Sequence, residues 1–275
     1  RGLYIREYSP ARLATTHFSR PRECPAWSEV VLDRERAAEL PSAAAVAHGC
    51  SVVQVHALAS ASECRSLCAA ASAAAKRVRR ADCLIGLVRA PIVDLFDSQS
   101  DIDACEALLQ RCVRFVQAQL PSLAKALFGE VSFETVLRNS DLVFSPGEPA
   151  LNVYTQGGCF TPHEDEQSLT CLLNLSDAGS YDGGGTAFWS SKEGLAVATP
   201  PSVVLRTPAG TALLFGGTVT HAGQPIRRGE RCVLVASFST AGHDCFVPHG
   251  EALLDASEPR TEECSLDALC AALAL

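Results

Sequence analysis

From residue 141 onward the apolar positions fall into short runs, ALNVYT, SLTCLLNL, GTAFW, SVVLR, TALLFG and RCVLVASF, separated by Gly, Pro and Asp. Apolar and β-branched runs of about 4–8 residues between such breakers predict strands. Their succession predicts an antiparallel sandwich or barrel. Upstream the periods change. SVVQVHAL (51–58) alternates with the period of a strand. SASECRSLCAAASAAAKRV follows as Ala-rich helix with Ser60 or Ser62 as its N-cap. A second helical region covers roughly 101–128, DIDACEALLQRCVRFVQAQLPSLAKALF, broken or restarted at Pro121. Residues 1–48 show no clear period and scatter Pro and Arg, which reads as an extended arm or irregular cap. The last segment, from about 250, is acidic and ends in a short helix, SLDALCAALAL.

This pattern divides the 275 residues into an arm or cap (1–48), a helical support segment (49–140), a β-rich core (141–245) and a tail with a short helix (246–275). The composition, 47% hydrophobic and 20% charged, is that of a folded chain able to bury a substantial core. No internal repeat is visible. No apolar run approaches the roughly 20 residues that span a bilayer, and no charged-then-apolar leader is visible.

The formal charge of −8 argues against a nucleic-acid partner, because phosphate binding leaves a basic footprint. The one basic cluster, Lys76, Arg77, Arg79 and Arg80, reads as a solvated helix C-terminus. Thirteen cysteines without a CxxC pair speak against a zinc ribbon or a thioredoxin-like site. Cys64 and Cys68, four apart, and Cys105 and Cys112, seven apart, fit small buried side chains on one helical face. The cysteine usage leans toward a reducing compartment such as the cytoplasm, with the secretory pathway still open.

Candidate chemistry lies in TPHEDEQSLTCLLNL. His163 and Asp165 stand two apart at the entrance to a strand, so both project to one face, and Glu164 and Glu166 point the other way. His221, in VTHAGQP, stands at the mouth of a later strand. Two imidazoles and a carboxylate on one side of a metal leave its opposite positions open, the arrangement of non-haem Fe(II) oxygenases. HxD alone is a weak signal, but Tyr154 lies nine residues before His163, and Arg231 ten after His221. An arginine opening a buried strand needs solvent or an anionic partner, and a dicarboxylate meets its bidentate fork. A tyrosine hydroxyl nearby could add a hydrogen bond. A zinc hydrolase would need a general base beside the metal, and Glu164 faces away.

The segments NVYTQGGCFTPHED, YDGGGTAFW and GTALLFGGTVTHAGQPIRRGERCVLVASF together resemble the prolyl 4-hydroxylase-like branch of the Fe(II)/2-oxoglutarate dioxygenases. The likeness is strong over about 150–240 and extends faintly to VVQVHALASASEC. It implies an α+β fold with a double-stranded β-helix (jelly-roll) core flanked by N-terminal helices. It implies that His163, Asp165 and His221 bind Fe(II), and that Arg231 and Tyr154 hold the distal carboxylate of 2-oxoglutarate. Ascorbate would be an auxiliary cofactor. The implied reaction hydroxylates an unactivated C–H bond with release of succinate and CO2; halogenating members lack the carboxylate ligand, which is present here as Asp165. The resemblance favours a peptidyl proline, with peptidyl lysine, a free amino acid or a small molecule as alternatives, and a non-catalytic metal-binding barrel as the rival of another class. Gly183, Gly184 and Gly185 read as a bulge or close backbone approach. Trp189 stands between the substrate mouth and core packing. In LVRAPIVDLFDSQ (87–99), where peptide-hydroxylating relatives carry an arginine-led segment, Arg89 alone is suggestive, and it reads more readily as an exposed arginine. The distal basic residue is arginine where many prolyl hydroxylases have lysine.

Overall fold

Strands that read as unbroken apolar runs do so because both their faces are covered. The computed structural model describes residues 4–8, 25–78, 86–128, 142–190 and 200–240. The expected C-terminal helix SLDALCAALAL, and Arg79 and Arg80 of the basic cluster, lie outside the described residues. The elements run β1 (Tyr4–Tyr8), β2 (Trp27–Val31), α1 (Arg34–Ala38), α2 (Ser42–Ala47), β3 (Ser51–Val55), α3 (Ala61–Val78), β4 (Leu87–Pro91), α4 (Ile92–Leu95), α5 (Gln99–Gln119) and α6 (Pro121–Phe128). Then follow β5 (Leu142–Phe144), β6 (Ala150–Tyr154), β7 (Phe160–His163), β8 (Leu169–Asn174), β9 (Tyr181–Gly183), β10 (Thr186–Phe188), β11 (Val203–Leu205) and β12 (Ala212–Phe215). The last are β13 (His221–Gly223), β14 (Ile226–Gly229) and β15 (Arg231–Thr240).

Two antiparallel sheets face one another. The larger runs β1-β2-β3-β12-β8-β15-β6-β4, with β5 also on β15; the smaller runs β11-β10-β13-β7. Along the chain β6, β8, β12 and β15 belong to the first, and β7, β10, β11 and β13 to the second. Strands shared between facing sheets in this way make a double-stranded β-helix, the jelly roll that the resemblance implied. β9 and β14 form a separate ribbon.

Side-chain parity separates two cores. Ala212 and Leu214 of β12, with Cys171 and Leu173 of β8, face a large cluster beneath α3, α5 and α6. Leu213, Phe215 and Leu172, from the same strands, face the second sheet with Phe188, Leu205 and Tyr154. The cysteines fit this scheme: Cys64, Cys105 and Cys112 are buried in the helical layer and Cys68 partly so.

Helix α3 begins where the sequence placed it, and Ser60 is the cap. The Glu63 carboxylate accepts from the Ser60 backbone N–H at 2.8 Å, and the Ser60 hydroxyl accepts from the Glu63 N–H at 3.3 Å. This is a reciprocal capping box. The helical region 101–128 does divide at Pro121, into α5 and α6.

Residues 25–48 correct the expectation of an irregular arm. β2 pairs residue for residue with β3, from Trp27↔Val55 to Val31↔Ser51, and α1 and α2 follow it. The strand escaped notice because Ser28 and Glu29 interrupt its apolar run, yet all five of its residues are buried. β4 was likewise not expected; Arg89 and Pro91 mask it, at the sheet's edge where Pro is tolerated.

Candidate active site

The two histidines meet because their strands pair. His163 ends β7, His221 opens β13, and the two are register partners. Their ring centroids lie 4.3 Å apart. Each Nδ1 faces the carbonyl two residues upstream, Thr161 O at 2.8 Å and Val219 O at 3.1 Å. A carbonyl only accepts, so each Nδ1 carries a proton, and in the neutral ring Nε2 keeps the lone pair that a metal would take. Asp165 lies just past β7, held where its N–H and that of Glu166 both donate to Gly217 O at 3.0 Å. Gly217 permits this approach, since a Cβ there would fall 1.9 Å from Gln167 O. The Asp165 oxygens sit 3.4 Å from His163 Nε2 and 3.6 Å from His221 Nε2. One donor atom from each of the three residues lies within 4.8 Å of the others, close enough to share an ion. Glu164 does turn away, accepting from the Thr220 hydroxyl at 3.1 Å.

The electrostatics suit a cation. Complete burial pushes His221 down to about 4, against the pull of Asp165, so its imidazole is neutral at ordinary pH. Burial also opposes ionisation of Asp165, but hydrogen bonds from His163 and Thr170 and the nearness of His221 hold its carboxyl down, at about 2. His163 is likewise resisted by burial, and Asp165 and the Thr161 carbonyl raise it overall.

The same cleft extends from this cluster to Tyr154 and Arg231, with Arg89, Glu148, Asn152, Phe160, Thr186 and Gly223 on its walls. Tyr154 and Arg231 are register partners on β6 and β15. The guanidinium stands 5.6 Å from the tyrosine ring centroid. Arg231 is 3% exposed. It donates to Gly185 O at 3.2 Å and to the Thr186 hydroxyl at 3.0 Å, and its Nε has no partner. Among the described residues no carboxylate pairs with it. A buried cation so placed calls for an anion. Burial pushes the Tyr154 hydroxyl up, partly offset by Arg231 and Asn152, so it remains a neutral donor.

All five residues singled out from the sequence therefore line one cleft. Others escaped notice. Asn152, two before Tyr154 on the same strand face, donates to the tyrosine hydroxyl at 3.3 Å. Thr170 donates to Asp165 Oδ2 at 2.5 Å. Gly223 makes room for Tyr154, whose hydroxyl would meet a Cβ there at 2.9 Å. Strand parity from Tyr154 and His221 was the available signal for Asn152 and Gly223. Arg89 is exposed, as expected, and it also pairs with Glu148 at 2.5 Å, donates to Asn152 at 3.1 Å and lies over the Phe160 ring. Gly183, Gly184 and Gly185 all have positive φ, and a Cβ on Gly183 would come within 2.6 Å of Pro225 O, as the close-approach reading requires. Trp189 is buried beside Ala187 and Ala222, away from the walls of the cleft.

Residues 149–238 match the family model described as the 2OG-Fe(II) oxygenase superfamily. The matched span carries all five cleft residues named above. No curated protein sequence matches the chain. Among solved structures it is similar to a viral collagen prolyl hydroxylase from Paramecium Bursaria Chlorella virus-1 in complex with 2OG, with 15% identity and TM-score 0.46 over 71% of this chain and 99% of that one. It is also similar to a Pseudomonas putida prolyl-4-hydroxylase, with 17% identity and TM-score 0.46 over 73% and 100%. A third is an oxidoreductase of the 2OG-Fe(II) oxygenase family from Burkholderia pseudomallei, with 16% identity and TM-score 0.48 over 74% and 93%. The family's cofactors, Fe(II) and 2-oxoglutarate, both fit the residues present. The His163, Asp165 and His221 donor set suits a divalent iron, and the unpartnered Arg231 Nε suits a carboxylate.

Proposed function

We propose that the protein hydroxylates an unactivated C–H bond of a peptidyl proline, with His163, Asp165 and His221 holding Fe(II) and Arg231 and Tyr154 binding the distal carboxylate of 2-oxoglutarate. The observation that carries the reading is the convergence in one cleft of a three-donor cluster and a buried arginine with no carboxylate paired to it among the described residues. When bound, Fe(II) and 2-oxoglutarate would supply oxidative decarboxylation with O2 as oxidant, one oxygen atom ending in succinate beside CO2 and the other in the C–H bond. The chain's own residues do the rest. The Thr161 and Val219 carbonyls keep both imidazoles in the tautomer that presents Nε2. Arg231 orients the co-substrate, Tyr154 donates to it, and Asn152 holds the tyrosine oxygen in place. Phe188 and Phe215 pack against the buried His221 ring and shield it from water.

For the substrate, the motif resemblance points to proline, and the charges of the cleft agree. Asp165 and Glu148 are its lining carboxylates among the described residues, and both are committed, one to the histidines and one to Arg89. A lysine ammonium would therefore find no free counter-ion, whereas an uncharged ring could pack on Phe160 with Arg89 left to donate to peptide carbonyls. Anaerobic addition of Fe(II) and then 2-oxoglutarate should develop a visible metal-to-ligand charge-transfer band, absent from Asp165→Ala and His221→Ala. Peptides bearing proline, peptides bearing lysine, and free amino acids are then compared for substrate-dependent succinate release. No band with iron bound would remove the oxygenase assignment for this cleft. A band with turnover on lysine or on free amino acids alone would remove proline.

A further inference from the structure

Each of the three donor residues needs something to hold it, and the polarity of that partner differs. A neutral imidazole must give a proton away, and both histidines give theirs to backbone carbonyls of their own strand segments. A carboxylate must receive one, and its partner comes from a different strand. Thr170, on β8, is 0% exposed, and its hydroxyl donates to Asp165 Oδ2 at 2.5 Å.

The placement of Thr170 is rigid. It pairs in register with Phe215 on one side and Ser237 on the other, in the middle of the larger sheet. Leu172, two residues on and on the same face, is apolar, as the inter-sheet core demands. Valine has the shape of threonine and would suit that stripe without burying a hydroxyl. The hydroxyl is satisfied by Asp165, a residue that otherwise sits on a short loop after β7.

We propose that Thr170 is a positioning residue for the metal centre: its hydroxyl fixes the plane of the Asp165 carboxylate so that the carboxylate faces His163 Nε2 and His221 Nε2. This rests on the reading of His163, Asp165 and His221 as metal ligands. Partners that orient ligating groups typically contribute about 10–100-fold to metal affinity. The sheet supplies the rigidity that the Asp165 loop lacks.

The test is anaerobic Co(II) titration of the full chain, reading affinity and the visible spectrum of the bound ion. The wild type is compared with Thr170→Val, Thr170→Ser and Asp165→Ala. Thr170→Val should weaken Co(II) binding by about 10–100-fold and alter the spectrum. Thr170→Ser, which keeps the hydroxyl, should restore both. Metal-free melting curves of the variants show whether the fold is kept; if the valine variant does not fold, Thr170→Ala is compared with Thr170→Ser in the same way. Wild-type affinity and spectrum in a folded variant lacking the hydroxyl would leave Thr170 a packing residue and overturn the proposal. A wild type that binds no Co(II), or an Asp165→Ala that binds it unchanged, would bring down the ligand assignment and the proposal with it. The two failures are thus distinct.

Discussion

Arg231 spends its charge on a carbonyl and a hydroxyl, with its Nε unpartnered, at 3% exposure. That arrangement is costly in a cofactor-free protein and becomes sensible once a carboxylate enters. Arg231→Met should therefore weaken 2-oxoglutarate binding by about 10–100-fold, the worth of a charge-assisted hydrogen bond of roughly 1.5–3 kcal/mol. Co(II) affinity should stay close to wild type, because Arg231 is not among the three donors. Co-substrate titration at saturating metal reads the effect, and an unchanged 2-oxoglutarate affinity would end the role given to Arg231. At this scale the sequence disclosed the residues whose spacing is itself a signal: His163, Asp165 and His221, flanked by Tyr154 and Arg231. It did not disclose Thr170, because only the pairing of β8 with β12 and β15 shows which way that hydroxyl points. The pairing of the exposed Arg89 was hidden for a similar reason. Its partner Glu148 lies 59 residues away, and nothing local marks the pair.

Helix α3 begins at a capping box and is tied to α5 by the same glutamate. Arg111 forks onto Glu63, with its two nitrogens 3.1 and 2.6 Å from the carboxylate oxygens. Those hydrogen bonds, more than the Ser60 contacts, hold the Glu63 carboxyl down at about 2, with burial opposing. The sign follows from a folded-state value below the unfolded one of about 4.3. The stabilisation is complete above the unfolded value and is lost as pH falls from there toward 2. The Glu63 side chain is 37% exposed, so screening reduces the contribution to roughly 1 kcal/mol. Glu63→Gln should lose about that much at pH 7 in denaturant unfolding, and the gap from wild type should close by about pH 2. A gap of constant size across this range would mean that the carboxylate's charge contributes nothing. The S-x-x-E signature was legible because both partners lie within one turn. The Glu63–Arg111 pair was not, because it joins two helices. Among the strands, those from β6 to β15 that are clean apolar runs stood out, while β2 and β4 carry Glu29 and Arg89 at their centres and were hidden by them.

Over the whole molecule, the larger sheet extends past the double-stranded β-helix through β3 and β2, and it is this extension that receives the N-terminal residues. Trp27, 5% exposed, meets Phe115 of α5 edge to face at 6.0 Å, so β2 is locked both to the sheet and to the helical layer. α2 adds six buried residues to the same region. An arm that merely trailed from the domain could be removed without harm; a strand in the sheet cannot. Truncation of Trp27 alone to Ala should cost about 3–5 kcal/mol. That is a large part of the roughly 5–15 kcal/mol that holds an ordinary domain together. Removal of residues 1–48 also strips β3 of its neighbour, leaving its backbone N–H and C=O groups as an open edge of the kind that drives association. The shortened chain should be insoluble or aggregate, and any soluble fraction should melt well below the full chain, although the cleft residues lie at 89 and beyond. Expression of residues 49–275 beside the full chain, followed by thermal melting and Co(II) titration, decides between arm and strand. A soluble fragment with unchanged melting and metal affinity would show that β2 is dispensable. The expected outcome makes residues 25–48 part of the fold that supports the cleft.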